Sequence, residues 1–115
     1  MNEKVEVLKT ASDYIINLKA GIKKAAEYFQ TGEEHKGCNL ISPITEGLQW
    51  LGDAIRLTQD IQNEQISLED MNEKLNEIVE ALENEDFILI GDLFEYELLS
   101  IIENIEEKVN KSITI

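Results

Sequence analysis

The stretch Leu8-Lys9-Thr10-Ala11-Ser12-Asp13-Tyr14-Ile15-Ile16-Asn17-Leu18-Lys19-Ala20-Gly21-Ile22-Lys23-Lys24-Ala25-Ala26-Glu27-Tyr28-Phe29 decides how this chain folds. Leu8, Ala11, Ile15, Leu18, Ile22, Ala25 and Phe29 recur at alternating steps of three and four residues. That spacing lines one face of an α-helix and leaves lysines and acids on the other. Thr31-Gly32 follows, with glycine where a helix end favours a left-handed residue. The first helix is therefore expected over about residues 2–30, and a long helix with one apolar face needs other helices to cover it.

Three further periodic segments supply them. Ser42-Pro43 reads as a serine N-cap followed by proline at the first helical position. A second helix over about residues 43–63 follows, with Ile44, Leu48, Leu51, Ile55 and Thr58 as its inner stripe. Trp50, Ala54, Leu57 and Ile61 form a second stripe beside it. The segment from Gly32 to Ile41, holding Gly37, Cys38 and Asn39, then reads as a crossover loop. Ser67 starts a third helix, residues 68–84, whose narrow stripe is Leu68, Met71, Leu75, Ile78 and Leu82; its other faces are charged or amide, so it is an edge helix. The acidic turn Asn84 to Asp86 leads into a fourth helix, residues 87–110. The expected fold is all-α: a single-domain, antiparallel four-helix bundle spanning 1–115.

The fourth helix is unusually apolar. Thirteen of the twenty-three residues from Phe87 to Val109 are apolar, more than one face can hold. One stripe is Phe87, Ile90, Phe94, Leu98, Ile101 and Ile105; Leu89, Leu93 and Tyr96 form another, and Leu99 and Ile102 a third. A helix apolar nearly all round must be covered on several sides, and a surplus marks a contact surface. The expected interaction surface is Trp50, Leu57, Leu89, Leu93, Tyr96 and Leu99, covered by a protein partner or by a second copy in a homodimer.

Charge narrows the partner. Of the net charge of −14, residues 1–36 contribute nothing, with six acids and six lysines. Residues 37–115 carry eighteen acids against Arg56, Lys74, Lys108 and Lys111. A polyanion repels nucleic-acid phosphates and anionic lipid heads, so neither is an expected partner, whereas a basic protein segment is. The longest apolar run, Phe87 to Ile90, is far short of the roughly 20 residues of a membrane span. The start lacks the basic and apolar regions of a secretory signal. One cysteine forms no intramolecular disulfide, and a cytoplasmic setting is expected.

No catalytic motif stands out, and no cofactor or metal is assigned. Glu77-x-x-Glu80 and Asp92-x-x-Glu95 lie on consecutive helices, the spacing with which helical nucleoside-triphosphate pyrophosphatases hold magnesium, so a magnesium-dependent hydrolase is the alternative reading. Yet Glu80/Glu83, Glu83/Asp86 and Glu103/Glu106 match about as well, and no basic cluster stands nearby to hold a triphosphate. Di-iron chemistry needs two histidines on helices, and His35 is the only one in the chain. Cys38 with His35 lacks a third, orienting group.

The run Asp86-Phe87-Ile88-Leu89-Ile90-Gly91-Asp92-Leu93-Phe94-Glu95-Tyr96-Glu97-Leu98-Leu99 resembles the C-terminal signature of a family of short acidic proteins from Gram-positive, clostridia-type bacteria with no assigned activity. Glu46-Gly47-Leu48-Gln49-Trp50-Leu51 fits the same pattern. In that family a proline often follows the Glu-Tyr-Glu-Leu-Leu run; Ser100 stands there here, which implies a straighter fourth helix. The format is also similar, in size and charge, to small acidic bundle chaperones of secretion systems. The reading is a non-enzymatic interaction domain, an adaptor or chaperone-like binder of a helical or basic segment; a purely structural homodimer is a further alternative.

Overall fold

A computed structural model describes residues 3–113 of the chain; the expected helix start near Asn2 lies outside them. The first helix, α1, spans Glu3–Gln30, and all seven positions of its three-four pattern are buried. It ends where glycine is needed: Gly32 has φ +81, and the Glu33 N–H donates back to the Tyr28 carbonyl at 2.8 Å. This six-to-one bond with a left-handed residue inside it satisfies a carbonyl that the helix end would otherwise orphan.

The second helix, α2, spans Glu34–Leu57 and begins nine residues before Pro43. The expected crossover loop over residues 32–41 does not form, and Ser42-Pro43 is mid-helix rather than a cap. Proline inside a helix removes one hydrogen bond and costs roughly 3 kcal/mol. Burial outweighs that cost here. Ile44 is buried, and Cys38, Leu40 and Ile41 are half-buried against the core. Gly37 is buried because a methyl there would sit 2.8 Å from ring carbons of Phe29; its lack of a side chain lets the α1–α2 hairpin close immediately. The inner stripe Ile44, Leu48, Leu51, Ile55 and Thr58 is buried throughout.

Beyond α2 the chain is held by side chains. The Thr58 hydroxyl donates to the Ala54 carbonyl at 2.8 Å, and Gln62 Nε2 donates to the Ile55 carbonyl at 2.8 Å. A 3-10 turn over Gln59–Ile61 follows, and Ile66 drops into the core. The third helix, α3, spans Glu69–Glu83 and buries only Met71, Ile78 and Ala81. That narrow stripe makes it the edge helix its sequence implies. Its end mirrors that of α1 without a glycine: Glu85 takes φ 53 while the Asp86 N–H donates to the Ala81 carbonyl at 2.9 Å.

The fourth helix, α4, runs over residues 87–113, three residues beyond its expected end, in three parts. Phe87–Asp92 and Leu99–Ile113 are α-helical, and Leu93–Leu98 is a π-helical turn. Within it the Leu99 N–H reaches the Phe94 carbonyl, five residues back. The cause is in the spacing of the buried side chains. Ile90, Phe94, Leu98, Ile102, Ile105 and Val109 step by 4, 4, 4, 3 and 4. In an α-helix each four-residue step drifts about 40° around the axis, so three in succession would carry the stripe off the core. The wider turn absorbs one residue and brings the stripe back. The fourth helix is thus continuous past Ser100 but not regular, and Ile102 takes the buried position expected of Ile101.

The four helices of the described residues form an all-α, up-and-down bundle about 48 × 21 × 19 Å. α1 packs against α2 on one side and α4 on the other, and α3 packs against α4. α2 and α3 face each other across a groove lined by Leu48, Gly52, Met71 and Leu75. α1 and α4 are antiparallel, tied by Lys19–Glu106 at 2.7 Å, Ser12–Asn110 at 2.6 Å and Gln30–Glu95 at 2.6 Å. They approach closely at Gly91, where a methyl would lie 3.2 Å from both Phe29 Cβ and Gln30 Cγ. Gly91→Ala is expected to destabilise the fold by about 1–3 kcal/mol, because overpacking outweighs the gain in helix propensity. Urea unfolding followed by circular dichroism measures it.

Candidate functional site

The six residues expected to form one interaction surface do not share a face. Trp50 (39 % exposed) and Leu57 (65 %) lie on α2, whereas Leu89 (42 %) and Tyr96 (68 %) lie on α4, and those two helices sit diagonally in the bundle. Leu93 is 3 % exposed and belongs to the core, and Leu99 is half-buried against it. Leu93 stands one turn after buried Ile90 and beside buried Phe94, so it shares their core-facing side, whereas Tyr96 points out. Leu93→Glu would therefore bury a charge rather than dissociate an assembly.

What remains is two separate surfaces. On the α3/α4 seam, one depression of about 180 Å³ is lined by Glu77, Glu80, Asn84, Asp86, Leu89 and Leu93. A second, of about 300 Å³, is lined by Asp70, Glu73, Lys74, Tyr96, Glu97 and Ile101. Residues 69–113 hold fourteen acids against Lys74, Lys108 and Lys111. Lys74 bridges the seam, 2.6 Å from Glu77 and 2.6 Å from Glu97, and Glu77 first, then Glu97, holds its ammonium charged well above the ordinary lysine range. Lys108 and Lys111 lie near the far end of α4. The middle of the seam is thus apolar at Leu89 and Tyr96 and acidic around them. The Tyr96 hydroxyl is itself held protonated above its usual range by the Glu95 carboxylate beside it and by the charge of Asp92.

On the α1/α2 seam, a groove of about 450 Å³ is lined by Thr10, Tyr14, Pro43, Glu46, Gly47 and Trp50. Tyr14 and Trp50 meet edge to face, with centroids 5.3 Å apart and planes at 71°. Gly47 makes room for this pair, since a methyl there would collide with the Tyr14 hydroxyl. Gly47 is thus the floor of the groove.

The four carboxylates of the magnesium reading are not brought together. Glu77 and Glu80 line the α3/α4 seam, Asp92 is exposed, and Glu95 accepts a hydrogen bond from Gln30 of α1. Among the described residues no three His, Cys, Asp or Glu side chains converge as metal ligands. Cys38 lies on α2 rather than in a loop; burial, then the Glu34 charge, pushes its thiol above its ordinary range, away from the thiolate that attacks. His35 is exposed one turn away on the same helix.

Of the six residues named from the sequence, Trp50, Leu57, Leu89 and Tyr96 are exposed; Tyr14 and Glu46 were not among the six, and the π turn was not expected. Tyr14 was legible as a large aromatic next to the α1 stripe, one residue before Ile15. The surplus residue in the spacing of α4 was the signal for the π turn.

Among the described residues no helix is long and apolar enough to cross a membrane. No curated protein and no solved structure matches the chain. A family model described as a domain of unknown function (DUF8042) matches residues 6–108, and the chain belongs to that family.

Proposed function

We propose that this chain is a non-enzymatic interaction domain that takes a basic, amphipathic helical segment of a partner protein along the α3/α4 seam. The observation that carries this reading is the coincidence of exposed Leu89 and Tyr96 with the most acidic part of the chain. Apolar side chains anchor such a helix in a groove, and the surrounding carboxylates steer it in and select against acidic competitors. The π turn supports the same reading, because such turns are frequent at functional sites and exposed Tyr96 lies within this one. The reading takes the domain to be cytoplasmic, and the family to be the acidic, Gram-positive one that the run at 86–99 resembles.

The test uses a synthetic helix with leucines at i, i+3, i+4 and i+7 and lysines elsewhere, measured by fluorescence anisotropy. A scrambled peptide of the same composition is the control. The patterned peptide is expected to bind at least about ten-fold tighter than the scrambled one, with affinity falling as salt rises. Leu89→Ser with Tyr96→Ser is expected to weaken it about ten-fold, roughly 1.4 kcal/mol, at unchanged helicity. Equal binding of both peptides, or an undiminished affinity of the double variant, would refute the proposal.

A further inference from the structure

The α1/α2 groove is chemically unlike the acidic seam. Its walls are two pairs of side chains, each one helical turn apart: Thr10 and Tyr14 from α1, Glu46 and Trp50 from α2. Residues four apart on a helix stand on the same face, so Thr10 adjoins Tyr14 and Glu46 adjoins Trp50 along their own helices. Pro43 and Gly47 line the groove between them, and neither has a polar side chain. Glu46 is the one charged side chain lining it, beside the edge-to-face pair of Tyr14 and Trp50.

Aromatic faces attract cations through their quadrupole, and a carboxylate beside them adds a full opposite charge. A volume of about 450 Å³ is that of a small-molecule site, apolar with few polar groups. One carboxylate matches one positive charge, and the apolar walls match a hydrocarbon body. We infer that this groove is a binding site for a small monovalent organic ammonium ion carrying an apolar or aromatic body, its nitrogen held between Glu46 and the Trp50 ring. The inference is independent of the α3/α4 reading, because the two seams share no helix.

The protein carries its own reporter. Trp50 is its only tryptophan, so intrinsic emission reads the groove directly. Titration with phenethylammonium chloride is expected to give a saturable change in emission. The neutral isostere 2-phenylethanol, at matched ionic strength, is expected to need at least about three-fold more ligand for half-saturation. Glu46→Gln should shift the amine midpoint up by roughly three-fold with helicity unchanged. The Leu89→Ser, Tyr96→Ser double variant should respond as the parent does, which separates this site from the proposed peptide surface. An unsaturable, purely collisional response, an alcohol that matches the amine, or an unaffected Glu46→Gln would overturn the inference. A capped lysine, N-acetyl-lysine methylamide, that saturates at lower concentration than the amine would overturn the assignment to a free ligand.

Discussion

Deleting Asn104 is expected to unfold most of this protein, whereas deleting Tyr96, eight residues earlier on the same helix, leaves the fold standing. Both residues are exposed, so neither deletion removes a buried side chain. The difference is one of phase. Loss of Asn104 rotates everything after it by about 100°. Ile105 and Val109, both buried, then leave the core, and Glu106 and Asn110 turn toward it. If the helix instead regularises the π turn upstream, Leu98 and Ile102 are displaced. Either way two fully buried aliphatic side chains are lost at about 1.5–3 kcal/mol each. A loss of roughly 3–6 kcal/mol consumes most of the stability of a small domain.

Deletion of Tyr96 shortens the turn that holds one residue too many. The buried stripe Ile90, Phe94, Leu98, Ile102, Ile105 and Val109 then steps by 4, 3, 4, 3 and 4. That is the pattern α1 already has, and it needs no π turn. Stability is expected within about 1 kcal/mol of the parent. Urea midpoints from circular dichroism compare the two, and equal damage from both deletions would show that the π turn has another cause. The Tyr96 deletion also removes a residue of the proposed peptide surface, so it yields a folded protein with impaired binding.

Phe94→Ala is expected to cost about 3–5 kcal/mol, the largest effect of any single core truncation here. Its ring is fully buried at the π turn, 6.2 Å from the ring of Phe29, which in turn stacks on Phe87 at 6.1 Å. Alanine leaves a cavity between α1 and α4 beside Gly91, where the two helices are already in close contact, so they have little room to close over it. The melting temperature is expected to fall by roughly 10 °C or more. Phe87 is half-buried at the end of the same cluster, and Phe87→Ala should cost about half as much or less. A similar loss at both positions would mean that burial does not set the energetics of this end of the bundle.

How far the fold was legible depended on whether the local pattern was regular. The α1 stripe and the inner stripe of α2 are read without error because a helix buried on one side needs apolar residues at those steps and nowhere else. α3 is legible as an edge helix for the same reason. Pro43 and Gly37 mislead because their usual meaning is punctuation. In this chain Gly37 is a contact point for Phe29, and Pro43 lies within a helix held by Ile44. Leu93 misleads because it is four residues from exposed Leu89 and three from buried Ile90, and only packing against the other helices decides that it faces the core.

The expected single interaction surface divides for a related reason. Apolar character and charge are properties of residues, so the acidity of the last helices and the exposed side chains Trp50, Leu57, Leu89 and Tyr96 are visible in the sequence. Which of them adjoin is a property of helix order around the bundle. α2 and α4 lie on a diagonal, so Trp50 cannot join Leu89 and Tyr96; it meets Tyr14 of α1 instead.

The alternating steps of α1 alone settled that this chain is helical and that its long first helix is covered by others, because that period leaves one face that water disfavours. The charge map likewise needed only composition. The phase of α4, the burial of Leu93 and the pairing of Tyr14 with Trp50 were decided by tertiary packing. Each depends on how one helix must turn or approach to fit the next, and no single segment contains that information.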